Sequence, residues 1–582
     1  LSNDKIIYLS VGKETAQDFE MNPFTLAKKQ ITSFPVDIDN LKLSPDGKWI
    51  LFSAEVYPDC ADVSCTVKKD KEKNADPVKA YAYDDLLFRH WDAWEDGKRN
   101  HVFLKPLNGG AAVDLMQGIN EDTPSKPWGG AEEFDISPDG GEIAYTVKLA
   151  ENQALHTNSD IYTVNLKTKE TKCVTCENKA IDTFPIYSFD GQFIAYLAAT
   201  KPGFESDRLR VVLFDRNTGI KRILTEKWDR SPGSITWSKD SKKIFAAADN
   251  SGYKSIFAID ASSGEVSTLV AEHYNDGISV GSDLLAFTQD SFAKPAEIFI
   301  SKTDGSNLRQ ITNMNKPVLD EVEMSAAERF SFSGADGDMV YGWFFKPAEF
   351  KEGEKYPLAV FIHGGPQGSF TDHFHYRWNV EIAPGQGFAA AAVDFHGSTG
   401  YGQAFTDAIS RNWGGKPYKD IMKGLDYVLS QNPWIDDKKV CALGASYGGY
   451  MINWIEGQTD KFACLVSHDG EFSNAASYFT TEELWFPEWE FGGTPFENPE
   501  NYNRWSPDRH IAKWKTPMLV IHGGKDYRLA DTEGMSTFTA LKRKGVPARF
   551  LYFPEENHWV LKPLNSKRWH QEVYDWLKKW TE

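Results

Sequence analysis

Positive charge is the first shortage. The chain carries 64 Lys and Arg against 83 Asp and Glu, a formal charge of −19, so it lacks the basic face that nucleic acid requires. No run approaches the ~18 consecutive apolar residues of a membrane span. With 45 Gly and 28 Pro, the turn formers sit near the globular average, which excludes collagenous and low-complexity classes. The first residues, LSNDKIIYLS, include neither a starting Met nor a basic stretch followed by an apolar one. A processed or truncated chain is expected. Cysteine is scarce: six residues in three close pairs. Cys60 with Cys65, and Cys173 with Cys176, lie in polar, turn-like sequence and suit disulfides of an oxidising compartment. A metal half-site at Cys173 and Cys176 is disfavoured, because no second CxxC or His pair stands nearby. Cys441 and Cys464 lie in apolar, strand-like runs and are expected as buried free thiols.

Aromatics are plentiful, with 19 Trp, 23 Tyr and 37 Phe, and they suit half-buried pleated surfaces. The first ~325 residues repeat a strand, a Ser-x-Asp-Gly turn or close variant, and a second strand. The copies are LKLSPDGKWILFSAEV, FDISPDGGEIAYTV, PIYSFDGQFIAYLAA and ITWSKDSKKIFAAAD, with a degraded fifth, SVGSDLLAFTQD. Ser44, Ser137, Ser188 and Ser238 fall 93, 51 and 50 residues apart. Four short strands per period of ~40–50 residues predict a β-propeller. The long first interval predicts an insertion near residues 55–100. The first copy lacks a leading strand, so an N-terminally incomplete propeller over 1–326 is expected. From 327 to 582 the period vanishes. Apolar strands alternate with helical patterns, as in a mostly parallel sheet with helices on both faces, an α/β-hydrolase arrangement.

The second half carries the chemistry. Gly444-Ala445-Ser446-Tyr447-Gly448 follows the strand VCAL and precedes an apolar helix, the context of a nucleophile elbow. A serine hydroxyl needs a histidine base oriented by a carboxylate. In this fold the order is Ser, acid, His. Asp526 follows the strand PMLVIHGG, and His558 follows ARFLYFPE. His363, His373, His375, His468, Asp469, His522 and His570 come too early or in the last helix, and are expected to be structural or pocket-lining. An oxyanion hole would use the backbone N–H of Tyr447 and one from the loop His363-Gly364-Gly365-Pro366, at Gly365.

A propeller followed by HGGP, GASYGGYM, HGGKDYR and PEENHWV resembles the prolyl oligopeptidase family of serine peptidases, in its acylaminoacyl-peptidase and dipeptidyl-peptidase 5 branch. The resemblance spans nearly the whole chain, and FRHWDAWEDGKRNHVFL and TTEELWF carry it toward the dipeptidyl peptidases. It implies Ser446, Asp526 and His558 as the triad, and Arg528 as holder of a substrate carbonyl. Leu529, Tyr447, Tyr478 and Trp485 would wall an apolar pocket for the residue before the scissile bond. A dipeptidyl peptidase must also hold a free ammonium at a fixed distance from its serine. Glu95 is the candidate anchor, with Trp94, Asp92 and Trp91 beside it. The expected activity is release of dipeptides from the free N-terminus of oligopeptides. The alternatives are an acylaminoacyl peptidase or general oligopeptidase, and more remotely an esterase or a propeller interaction module on an inactive hydrolase. No metal or organic cofactor is expected. The expected partners are oligopeptides, with self-association as a homodimer left open. The family and the polar cysteine pairs imply a periplasmic or secreted location.

Overall fold

The computed structural model describes residues 5–11 and 15–582. Up to Gln310 the described residues form six antiparallel blades, over 6–30, 39–114, 134–173, 182–223, 232–270 and 274–310. The first has three strands and the others four; the last two meet through one parallel pairing, Lys254 with Tyr274.

The repeated turn does one job in the four well-kept copies. Ser44, Ser137, Ser188 and Ser238 donate their hydroxyls to the carboxylate two residues on, at 2.6–2.7 Å. Each hydroxyl oxygen also accepts the N–H five residues on, at 2.9–3.0 Å. The following Gly47, Gly140 and Gly191 take φ of 69–72°, where a missing Cβ removes the steric penalty. In the fourth copy Ser241 stands there at φ 57°. Its hydroxyl accepts the Asp190 N–H of the adjacent blade at 3.0 Å.

The insertion occupies 57–98, between the paired strands Trp49–Val56 and Arg99–Pro106 of the second blade. It holds the Cys60–Cys65 disulfide and the helix Val63–Ala75, whose N-cap Asp62 accepts the Cys65 N–H at 3.0 Å. It ends in a small hairpin of Arg89–His90 against Ala93–Trp94. Cys173 is likewise bonded to Cys176.

The rest is one eight-stranded sheet: β1 Ala327–Ser333, β2 Met339–Phe345, β3 Tyr356–Ile362, β4 Ala389–Asp394, β5 Ile435–Ala445, β6 Cys464–His468, β7 Met518–Gly523 and β8 Ala548–Phe553. Its order is β1-β2-β4-β3-β5-β6-β7-β8. Only β2 runs against its neighbours. Every residue of β4, β6 and β7 is buried, which explains their unbroken apolar runs; parallel strands are covered on both faces. The main helices are α1 Lys416–Gln431, α2 Tyr447–Glu456, α3 Trp485–Phe491, α4 Asp531–Arg543 and α5 Pro563–Thr581. α1 buries Ile421, Leu425 and Val428 at helical spacing. α2 is buried on all sides, as its all-round apolar sequence requires.

One expectation is corrected here. Cys441 and Cys464 are not free thiols but bonded to each other. They are register partners on the parallel neighbours β5 and β6, with Cα atoms 4.8 Å apart. Among the described residues, no helix is long and apolar enough to cross a membrane. Polar pairs join propeller and hydrolase: His273 with Asp372 and Asp290 with His373, both at 2.7 Å, and Thr399 with Asp249 at 2.7 Å.

Candidate active site

Ser446 caps α2 immediately after β5, at φ 59° and ψ −123°. A left-handed serine costs about 1–3 kcal/mol and persists only where the surroundings impose it. Here they do. The Ser446 N–H donates to His468 O at 3.0 Å. A Cβ on Gly444 would lie 2.7 Å from the Gly448 backbone, and one on Gly448 would strike the Ile362 carbonyl. The glycines of the motif are therefore required by the close passage of β3, β5 and α2.

Asp526 and His558 lie on the loops after β7 and β8. His558 Nδ1 is 2.6 Å from Asp526 Oδ2. Asp526 Oδ1 accepts the N–H groups of Arg528 and Leu529 at 3.1 and 2.9 Å. Burial alone would raise the Asp526 carboxyl, but the His558 ring, with His522 and the Leu529 N–H, outweighs it and holds the group below the usual range. An ionised Asp526 implies that Nδ1 carries the proton, leaving Nε2 as the free base. Ser446 and His558 line one cavity of about 500 Å³ between propeller and hydrolase.

The backbone N–H of Tyr447 is at the first position of α2, where no intrahelical acceptor exists. Gly365 lines the same cavity, at φ 126°. The loop is held from behind by His363, whose Nε2 is 2.8 Å from Ser398 Oγ and whose Nδ1 is 2.7 Å from Gly364 O. Burial pushes His363 down to about 4, so it is neutral at physiological pH. His468, Asp469 and His522 pack behind the triad. Asp469 Oδ2 lies 3.9 Å from His558 Nδ1, and burial raises its carboxyl to about 7.

A smaller apolar pocket of about 40 Å³ opens beside Ser446. Tyr447, Tyr478 and Leu529 line it, with Trp413, Phe486 and Phe491. Trp485 does not. The first turn of α3 turns its ring toward the propeller, where Nε1 reaches Glu205 at 3.4 Å and Lys148 Nζ sits 4.3 Å over the ring. Arg528 lines both cavities and is ion-paired with Glu483.

The expected ammonium anchor is also misplaced. Glu95 lines neither cavity; its carboxylate lies 3.3 Å from Arg99. Asp92 accepts from Asn557 Nδ2 at 2.8 Å. Trp94 is 43 % exposed and stacks near Tyr81 and Tyr83. Trp91 alone of that group faces the cavity, its ring 5.5 Å from that of His558. The acids that do line the cavity are Glu205 from the fourth blade and Glu483 just before α3, with Glu482 buried next to Glu483. Arg528 Nη2 is 3.7 Å from Glu205. Glu205 is open to the cavity but enclosed by protein, and this burial raises its carboxyl against the pull of Arg528. Burial, with Glu483 adjacent, pushes Glu482 up to about 8. Burial also penalises Glu483, but Arg528 and His90 outweigh it and hold it at about 2. The Glu-Glu pair within TTEELWF was a usable signal. Nothing in the sequence around Glu205 marked it.

The insertion reaches this cluster. His90 Nε2 is 2.9 Å from Glu483, Arg89 donates to Thr480 O at 2.6 Å, and the Trp91 N–H donates to Glu482 at 3.1 Å. Trp91 O accepts the Tyr527 N–H at 3.0 Å.

An elbow serine, a carboxylate-held histidine and two glycine-flanked N–H donors under a propeller define a serine hydrolase of covered type. The Prolyl oligopeptidase family profile matches residues 374–582. A dipeptidyl-peptidase 5 of Schizosaccharomyces pombe is 39 % identical over 525 residues, 87 % of this chain and 76 % of that protein. One from Porphyromonas gingivalis is 32 % identical over 93 % of this chain and 80 % of its own. The Pyrococcus horikoshii acylaminoacyl peptidase structure superposes with a TM-score of 0.82 at 22 % identity, covering 99 % of this chain and 87 % of that one. The chain belongs to the prolyl oligopeptidase family of serine peptidases.

Proposed function

We propose that the protein is a dipeptidyl peptidase, releasing dipeptides from the free N-terminus of oligopeptides. In this reading Ser446 attacks the scissile carbonyl, His558 takes its proton and Asp526 fixes the imidazole. The N–H groups of Tyr447 and Gly365 receive the oxyanion. The names of the similar dipeptidyl peptidases support this.

The observation that carries the reading is the acid cluster on the cavity that holds Ser446 and His558. Glu205 and Glu483 face it with Arg528 as their cation. The one Arg528 guanidinium serves both carboxyls, pairing closely with Glu483 and standing 3.7 Å from Glu205, so an incoming ammonium would give Glu205 a counter-ion of its own and offset its burial. The pocket of about 40 Å³ beside Ser446 is well below the ~150 Å³ that admits a benzene ring. A small apolar side chain such as Ala therefore suits the position before the scissile bond. Disulfides in the polar segments 60–65 and 173–176 support a periplasmic or secreted location.

The test is mass spectrometry of one unmodified decapeptide and its N-acetyl form. A ladder of dipeptides from the free peptide alone is expected, faster with Ala than with Phe at the second position. Faster cleavage of the acetylated form would favour an acylaminoacyl peptidase instead.

A further inference from the structure

Acylation forms the Ser446 Oγ–carbonyl bond and breaks the C–N bond; His558 passes the serine proton to the departing amine. The released peptide must therefore lie against His558, on the far side from the pocket of Tyr447 and Leu529.

Three tryptophans occupy that side, each from a different part of the chain. Trp91 belongs to the insertion, Trp128 to the link between the second and third blades, and Trp559 follows His558. All three line the cavity of Ser446 and His558. Their ring centroids lie 4.5 Å (Trp91–Trp128), 4.8 Å (Trp91–Trp559) and 4.7 Å (Trp128–Trp559) apart. Trp91 meets the other two edge-on, at 71° and 66°. Trp128 remains 53 % exposed, so the cluster is a wall and not a closed core. Arg377 lies 4.4 Å from the centroid of the Trp559 ring, a cation–π contact that steadies it.

We propose that Trp91, Trp128 and Trp559 form a subsite for the first residue of the released peptide, favouring an aromatic or large aliphatic side chain there. The inference rests on the acyl-transfer reading above. Packed aromatic pairs contribute about 0.5–1.5 kcal/mol beyond area burial, which is roughly a twofold to tenfold preference per contact.

The test compares H-Ala-Ala-Trp-Gly-Gly with H-Ala-Ala-Gly-Gly-Gly on the full chain, reading kcat/KM for the bond before the third residue. The native protein should prefer Trp about tenfold, on the scale of one or two such contacts. Trp128→Ala should cut that ratio severalfold, and Trp128→Phe should restore most of it. Trp128 is far in sequence from the triad, and a thermal melt of each variant checks its fold. A second measurement adds Trp-amide or Gly-amide to the acyl-enzyme and follows peptide-bond formation. The native protein should select Trp-amide, and Trp128→Ala should lose that selection. A native ratio near one, or a ratio untouched by Trp128→Ala in a folded protein, overturns the proposal. Cleavage at another bond would count against the dipeptidyl reading alone, because the choice between Trp-amide and Gly-amide still reads the subsite whichever bond forms the acyl-enzyme.

Discussion

Glu205, Glu482 and Glu483 are three carboxyls within one cluster, and their environments set them apart. Glu482, pushed up to about 8, is protonated at pH 7, so a glutamine is a near copy of it. Glu482→Gln should change KM for a free-amine dipeptide substrate less than about twofold, since an amide in place of a protonated carboxyl leaves the balance of charge intact. Glu205→Gln removes the carboxylate open to the cavity, and should raise that KM more than tenfold, of the order expected when a charge-assisted contact is lost. The same substitution should leave an N-acetyl substrate almost unaffected. Steady-state kinetics on both substrates checks this, and equal effects at Glu205 and Glu482 would remove Glu205 as the anchor. The proposed triad was legible because each member has a positional grammar: Ser446 in its elbow, Asp526 and His558 after successive strands. The anchor was not. Glu205 lies in a blade loop and meets Arg528 only because the propeller covers the hydrolase, a contact across 323 residues of sequence. Glu95 misled because an acid beside tryptophans looks like a site, yet a local Arg99 takes it.

At the level of elements, the elbow between β5 and α2 depends on absent side chains. Gly448→Ala would drive a methyl into the Ile362 carbonyl. Overpacking of this kind costs about 1–3 kcal/mol, and relief would move Ser446. Loss of most activity with a lowered melting temperature is expected; full activity in a stable variant would show that the elbow can yield. The blades were readable from Ser-x-Asp-Gly because the turn is made locally, by one hydroxyl and one carboxylate. The pairing of Cys441 with Cys464 was not, since it arises from the register of β5 against β6. Trp485 and Phe486 adjoin in sequence, but the α3 turn separates their faces, and only Phe486 enters the pocket.

Over the whole molecule, burial raises many acids toward neutral pH. Glu133, Asp182, Glu381, Asp394, Glu456, Glu490 and Glu533 are raised to about 7, and Glu471 to about 8. In the unfolded chain such groups ionise near pH 4–4.5. Between there and pH 8 the unfolded state binds fewer protons, so stability falls as pH rises. Acids with lowered values, such as Asp46 and Asp260, act in the opposite sense only below about pH 4. Buried neutral histidines such as His363 and His468 lose stability only as pH drops through about 6.5. The melting temperature should therefore be lower at pH 8.5 than at pH 6.5, by calorimetry in matched ionic strength. A rise over that interval would contradict the raised set of buried acids.

The insertion gives the two halves a shared wall. Its residue Trp91 is held by Glu482 and Tyr527 of the hydrolase, while the strands on either side of the insertion belong to the second blade. Swinging the halves apart must break those bonds and carry Trp91 away from His558. Any opening of the halves that admitted a peptide would thus also dismantle the surface proposed to grip it.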